Sequence, residues 1–175
     1  MTFVVMIFSF LCAALVQNLL PGWAALGGAQ VPLLMSCVMY YSLSRETGTA
    51  LTAGLLAGLA QDASGQVPLG CSSLVLCVIA LVLGRYKDVL TGDSPVTAAF
   101  AGATGGALMS LALSLFLSKE HLIDPAPVWV LLKVAGTGVL GLICTPIVFP
   151  VILALDRLVG NVAARKESIG EFKLP

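Results

Sequence analysis

The chain has 175 residues, 58% of them hydrophobic and only 10% charged, whereas a soluble domain averages about 45–50% apolar and about 25% charged. A single globular core of this size cannot hide that surplus, so lipid is the solvent that accommodates it. Nine Lys/Arg balance nine Asp/Glu, which leaves no basic field to attract nucleic acid.

The expected class is an all-α integral membrane protein with about six transmembrane helices, each needing about 20 apolar residues. Residues 3–20 form the first predicted span, ending in Gln17 and Asn18 before Pro21-Gly22-Trp23. No Lys or Arg precedes this run, so it lacks the basic start of a cleaved signal peptide and reads as a retained span. The second runs from about Gln30 to Leu43, with part of the preceding Ala/Gly stretch. It carries Pro32 in its first turn, where proline is tolerated. Tyr40 and Tyr41, just before Arg45, read as an interfacial aromatic anchor.

From Thr47 until Arg85 the only charge is Asp62. That stretch is long enough for two spans, and Asp62-Ala63-Ser64-Gly65-Gln66-Val67-Pro68 is a turn by composition. A tight helical hairpin follows, with spans at 48–61 and 69–84. Ser94-Pro95 is a cap followed by proline at the first helical position, and it opens a fifth span over 95–118. The sixth occupies 127–155. Lys133 lies near one end, where its stem can snorkel, and Pro146 and Pro150 near the other should bend the helix. The whole reads as one domain, 1–160, with a short cytoplasmic tail, 161–175.

Six spans put both termini on one side of the membrane. That side then holds Arg45, Arg85, Lys87, Arg157, Arg165, Lys166 and Lys173, against Lys119 on the other. The positive-inside rule places both ends in the cytoplasm.

Asp62 is the most informative single residue. A carboxylate deep in a bilayer costs roughly 2.5–3.5 kcal/mol and is a functional candidate by default. The alternative is structural: with Gly65, Pro68 and Gly70 it ends one helix and caps the next turn. The turn composition favours the structural role. Ahead of it, Ala50, Gly54, Gly58 and Asp62 recur every four residues, and the fifth span repeats the pattern with Ala98, Gly102, Gly106, Ser110, Ser114 and Ser118. Small stripes of this kind let helices approach closely in lipid. They serve either packing within the chain or docking of a partner helix, with Gly54, Gly58, Gly102 and Gly106 as the candidate partner-binding positions.

No catalytic constellation is legible. His121 is the only histidine and shares a polar loop with Lys119, Glu120 and Asp124. The Gly-x-Ser-x-Gly, His-Glu-x-x-His and phosphate-loop patterns are missing. Cys12, Cys37, Cys71, Cys77 and Cys144 make no C-x-x-C pair and read as small hydrophobes. No enzyme, metal or cofactor is expected.

Two segments carry a family resemblance. Leu33-Leu34 through Tyr40-Tyr41, and then Gly54 to Gly70 running through Gln61-Asp62-Ala63-Ser64-Gly65, resemble the rod shape-determining protein MreD family. Pro146 to Pro150 followed by Leu155-Asp156-Arg157-Leu158 resembles that family's proline-containing last helix. The resemblance implies a bundle similar to the substrate-binding subunits of energy-coupling-factor vitamin transporters. It also implies a scaffold of the bacterial cell-elongation machinery in the cytoplasmic (inner) membrane. Such a subunit associates with MreC and helps link MreB filaments to the RodA glycosyltransferase and its penicillin-binding transpeptidase. The competing reading is a vitamin-binding transporter subunit, with a buried pocket opening outward near Asp62 or the 119–126 loop. A membrane enzyme using Asp62 is a third, and it lacks a second catalytic group at a recognisable spacing.

Overall fold

The computed structural model describes residues 2–20, 22–23, 26–64, 68–87, 95–119 and 127–159. Six helices follow in chain order: α1 (Thr2–Leu19), α2 (Leu33–Ser44), α3 (Thr47–Ser64), α4 (Cys71–Arg85), α5 (Pro95–Lys119) and α6 (Pro127–Leu158). Among the described residues no strand forms; an isolated bridge joins Trp23 and Ala29. Stretches of α5 (Pro95–Phe116) and α6 (Val128–Leu158) are long and apolar enough to cross a membrane. Large apolar side chains stand exposed along the outside, among them Phe8, Leu15, Phe100, Leu115, Leu131 and Ile147. An outer surface of that kind belongs in lipid.

The helices form a ring around one of their number. α2 touches all five others, and α1, α3, α4, α5 and α6 close around it in that order. Leu34 through Leu43 are all buried, because an apolar helix with neighbours on every side has no outward face. This arrangement corrects the reading of Tyr40 and Tyr41 as interfacial anchors. They are only 5% and 0% exposed, and their rings pack edge-on against Phe149 and Phe10 at 5.7 and 5.8 Å.

α2 is also shorter than predicted. At roughly 1.5 Å per residue it spans about 18 Å, little more than half of a hydrocarbon core of about 30 Å. The described part of the Ala/Gly stretch before it, residues 26–30, is not α-helical. It turns at Gly27 and Gly28, both with positive φ, and lies against α6. A Cβ on Gly27 would meet the backbone of Trp129 and Lys133 within 3.1 Å. Ala29, Val31 and Leu140 form a small second core beneath this turn. Non-helical backbone is tolerated at such a place where protein covers it. Gln17, expected only to close the first span, instead turns inward and accepts a hydrogen bond from the Leu34 backbone N–H at 3.3 Å. It thereby serves one of the unpaired donors at the start of α2.

The limits of the other helices agree with expectation to within a few residues. α5 begins at Pro95, and α6 runs unbroken through Pro146 and Pro150. Ser94, the 120–126 loop with Glu120, His121 and Asp124, the Lys119 side chain, and the tail with Arg165, Lys166 and Lys173 lie outside the described residues.

Candidate functional site

The α3–α4 hairpin is built around its glycines. Ala50, Gly54, Gly58 and Asp62 are all buried, and the stripe faces α4. A Cβ on Gly54 would stand 3.1 Å from Cys77 Cα, and one on Gly58 would collide with the Ser73 backbone. The close approach lets α4 side chains reach carbonyls of α3. Ser73 Oγ donates to the Leu55 carbonyl at 3.4 Å, and Cys77 Sγ to that of Leu51 at 3.7 Å. In lipid such interhelical bonds replace the hydrophobic drive that water supplies elsewhere.

The second stripe is used in the same way. Gly102 lies against Gly141 and Thr145 of α6, and a Cβ on Gly106 would be 2.8 Å from the Thr137 carbonyl oxygen. Thr145 in turn shares a hydrogen bond with Ser36 of α2 at 3.0 Å. All four glycines singled out for partner binding therefore have intrachain neighbours, and α4 and α6 occupy the space a partner helix would need. The matching small residues of α6, Thr137, Gly138 and Gly141, were the legible counterpart and were not singled out from sequence.

Asp62 lies within the last turn of α3 rather than just past its end, and it is 3% exposed. Its two carboxylate oxygens accept hydrogen bonds from the backbone N–H groups of Gly70 at 2.7 Å and Ser72 at 3.1 Å. One helix thus supplies the anion that caps the next, where free N–H groups and the helix dipole favour negative charge. Gly70 adopts φ 102°, a region that favours glycine. The Pro68 carbonyl accepts from Cys71 N–H at 3.3 Å. Gly65 lies outside the described residues.

These bonds define a graded test. Asp62→Ala removes both acceptors and is expected to destabilise the protein by about 1–2 kcal/mol, in line with a lost cap. Asp62→Asn keeps one acceptor oxygen and should cost less. Thermal unfolding in detergent would rank the two, and equal losses would mean that the carboxylate's charge, not its cap geometry, dominates.

A second polar cluster joins the far ends of α2 and α6. Asp156 is 1% exposed. Its Oδ2 accepts from the Tyr40 hydroxyl at 3.0 Å and pairs with the Arg45 guanidinium at 3.1 Å. Sequence reading noted Asp156 only within the resemblance of the last helix. An acid beside a basic residue at the end of an apolar run was the available signal, but its partners lie more than a hundred residues away. Neither cluster presents a nucleophile with a base. Among the described residues no three His, Cys, Asp or Glu side chains converge as a metal site would require.

Comparison with curated proteins and with solved structures returns no match. Residues 1–124 match the family described as rod shape-determining protein MreD. The match takes in α1 to α5, the central α2 and the Asp62-capped hairpin, and it stops short of α6. With most of its length matched and an all-helical, lipid-compatible bundle, this chain belongs to the MreD family and is a rod shape-determining membrane component.

Proposed function

We propose that the chain is a non-catalytic scaffold subunit of the bacterial cell-elongation complex that binds MreC by packing of transmembrane helices. The observation that carries this reading is the family match over residues 1–124, laid on a bundle whose centre is occupied by the buried helix α2. A vitamin-binding transporter subunit needs room for its cargo among the helices, and here the buried side chains of α2 fill that position. Although the bundle is of the six-helix kind that the resemblance likens to energy-coupling-factor substrate-binding subunits, fold likeness would not by itself assign a cargo.

In this reading the chain crosses the inner membrane six times with both termini cytoplasmic. The gathering of charge supports it. Arg45 and Arg157 stand at the ends of α2 and α6, and Arg85 ends α4. A Cβ on Gly84 would stand 4.0 Å from the Ser42 carbonyl oxygen, so the ends of α2 and α4 lie near one another. Trp23, Trp129 and Lys133, all exposed, share the opposite end, as residues of an interfacial belt do. Gly54, Gly58, Gly102 and Gly106 then serve the partner indirectly. They keep two hairpins closed, so that a rigid body presents its outward faces to the MreC helix. Links to MreB, RodA and the penicillin-binding transpeptidase would run through that assembly.

Mild-detergent affinity purification of the tagged protein from its native membrane tests the proposal. MreC and wall-elongation enzymes should be recovered in the bound fraction. Recovery of a vitamin-sized compound, or of an ATPase energising module, would overturn it. The topology has its own check: cysteines added at both termini should resist membrane-impermeant maleimide in intact spheroplasts; labelling of one alone would refute six spans, and labelling of both would refute the cytoplasmic orientation.

A further inference from the structure

We infer that the end of α6 carries a binding site for one anionic phospholipid, its acyl chain lying in a groove on the helix and its phosphate held by Arg157. The groove has a volume of about 470 Å³ and is lined by Pro150, Leu153, Ala154, Arg157 and Leu158. These residues recur at three- and four-residue steps, so they share one face of α6. Pro150 and Ala154 are short and leave a trough, while Leu153 and Leu158 supply apolar walls. From Arg157 back to Pro150 the trough follows the helix axis for roughly 10 Å, a length that suits the first methylenes of an acyl chain.

The charge decides which occupant fits. Arg157 is exposed at the polar end of the trough. The acid beside it in sequence, Asp156, is turned inward and committed to Arg45 and Tyr40. Among the described residues Arg157 has no acidic partner, so its guanidinium remains available at the depth where helix and headgroups meet. A planar guanidinium binds phosphate oxygens with two parallel hydrogen bonds. A cation above an apolar trough selects a ligand with a phosphate at one end and a hydrocarbon chain at the other. A purely apolar partner helix would leave that cation unmatched. The proposed topology sets only which leaflet supplies the lipid. The site itself needs no more than this end of α6 at a membrane interface, so a failure of the topology would leave it standing.

Native mass spectrometry of the purified full chain tests the site, with phosphatidylglycerol and phosphatidylcholine of identical acyl chains added in equal amounts. Phosphatidylglycerol should be retained several-fold over phosphatidylcholine. Arg157→Gln should abolish the preference. Ala154→Trp, which fills the trough while keeping the charge, should lower retention of phosphatidylglycerol. Equal retention of the two lipids by the unaltered protein, or a preference that survives Arg157→Gln, would overturn the inference. Retention unchanged by Ala154→Trp would overturn the acyl-chain trough.

Discussion

Gly58→Ala is expected to lower the thermal midpoint of the detergent-solubilised protein by about 5–10 °C, and Gly58→Leu to prevent its stable accumulation in the membrane. Overpacking a well-filled contact typically costs about 1–3 kcal/mol, occasionally more, and a loss of 1 kcal/mol moves the midpoint of a chain this long by about 2–4 °C. The cost at this position lies at the upper end because the colliding atoms are Ser73 backbone. A side chain could rotate away, but α4 can yield only by moving as a helix. That movement would also break the Ser73–Leu55 and Cys77–Leu51 bonds. Gly48 is the control within the same helix. A Cβ there meets nothing within 4 Å, and alanine is the better helix former by about 1 kcal/mol. Gly48→Ala should therefore leave the midpoint unchanged or raise it. Similar losses for both variants would show that the α3–α4 contact is not what sets the cost at Gly58.

The second large effect is an asymmetry across the buried ion pair. Arg45→Leu should destabilise the protein by about 3–5 kcal/mol, the usual cost of stranding one charge of a buried pair. It would leave the Asp156 carboxylate, 1% exposed, with the Tyr40 hydroxyl as its remaining hydrogen-bond partner. Asp156→Leu should cost less. The Arg45 side chain is 15% exposed, and a long basic side chain can extend toward the headgroups when its partner is lost. The double variant should recover part of the Arg45→Leu loss, since an apolar pair of similar volume often replaces a buried ion pair without penalty. Unfolding free energies of the unaltered protein and the three variants form a double-mutant cycle. Equal single losses with no recovery would mean that the contacts of Arg45 beyond this pair govern the effect. The consequence reaches the whole bundle, because this pair ties the central helix to α6.

Sequence reading went furthest where the physics is local. The excess of apolar residues required lipid whatever the packing. The limits of α1, α3, α4, α5 and α6 followed from apolar run length, from Pro95 at a helix start and from the turn chemistry around Asp62. The four-residue spacing of Gly54 and Gly58, and of Gly102 and Gly106, marked faces made for close helix contact. Each of these signals is contained within one turn or one helix, so no knowledge of neighbours was needed.

What covers those faces was decided only by the tertiary structure. A small-residue stripe shows that something comes close, but not whether it is α4, α6 or another protein; the chain itself fills both. α2 gave no hint that it is the central helix, because a segment that is apolar all round looks the same in lipid and in protein. Its ring of neighbours is what turned Tyr40 and Tyr41 from interface anchors into core residues, and drew Gln17 inward to the first turn of α2. Arg45 and Asp156 each look like a helix end meeting water. Their pairing across more than a hundred residues exists because the central helix and the last one finish side by side, and sequence separation carries no record of that.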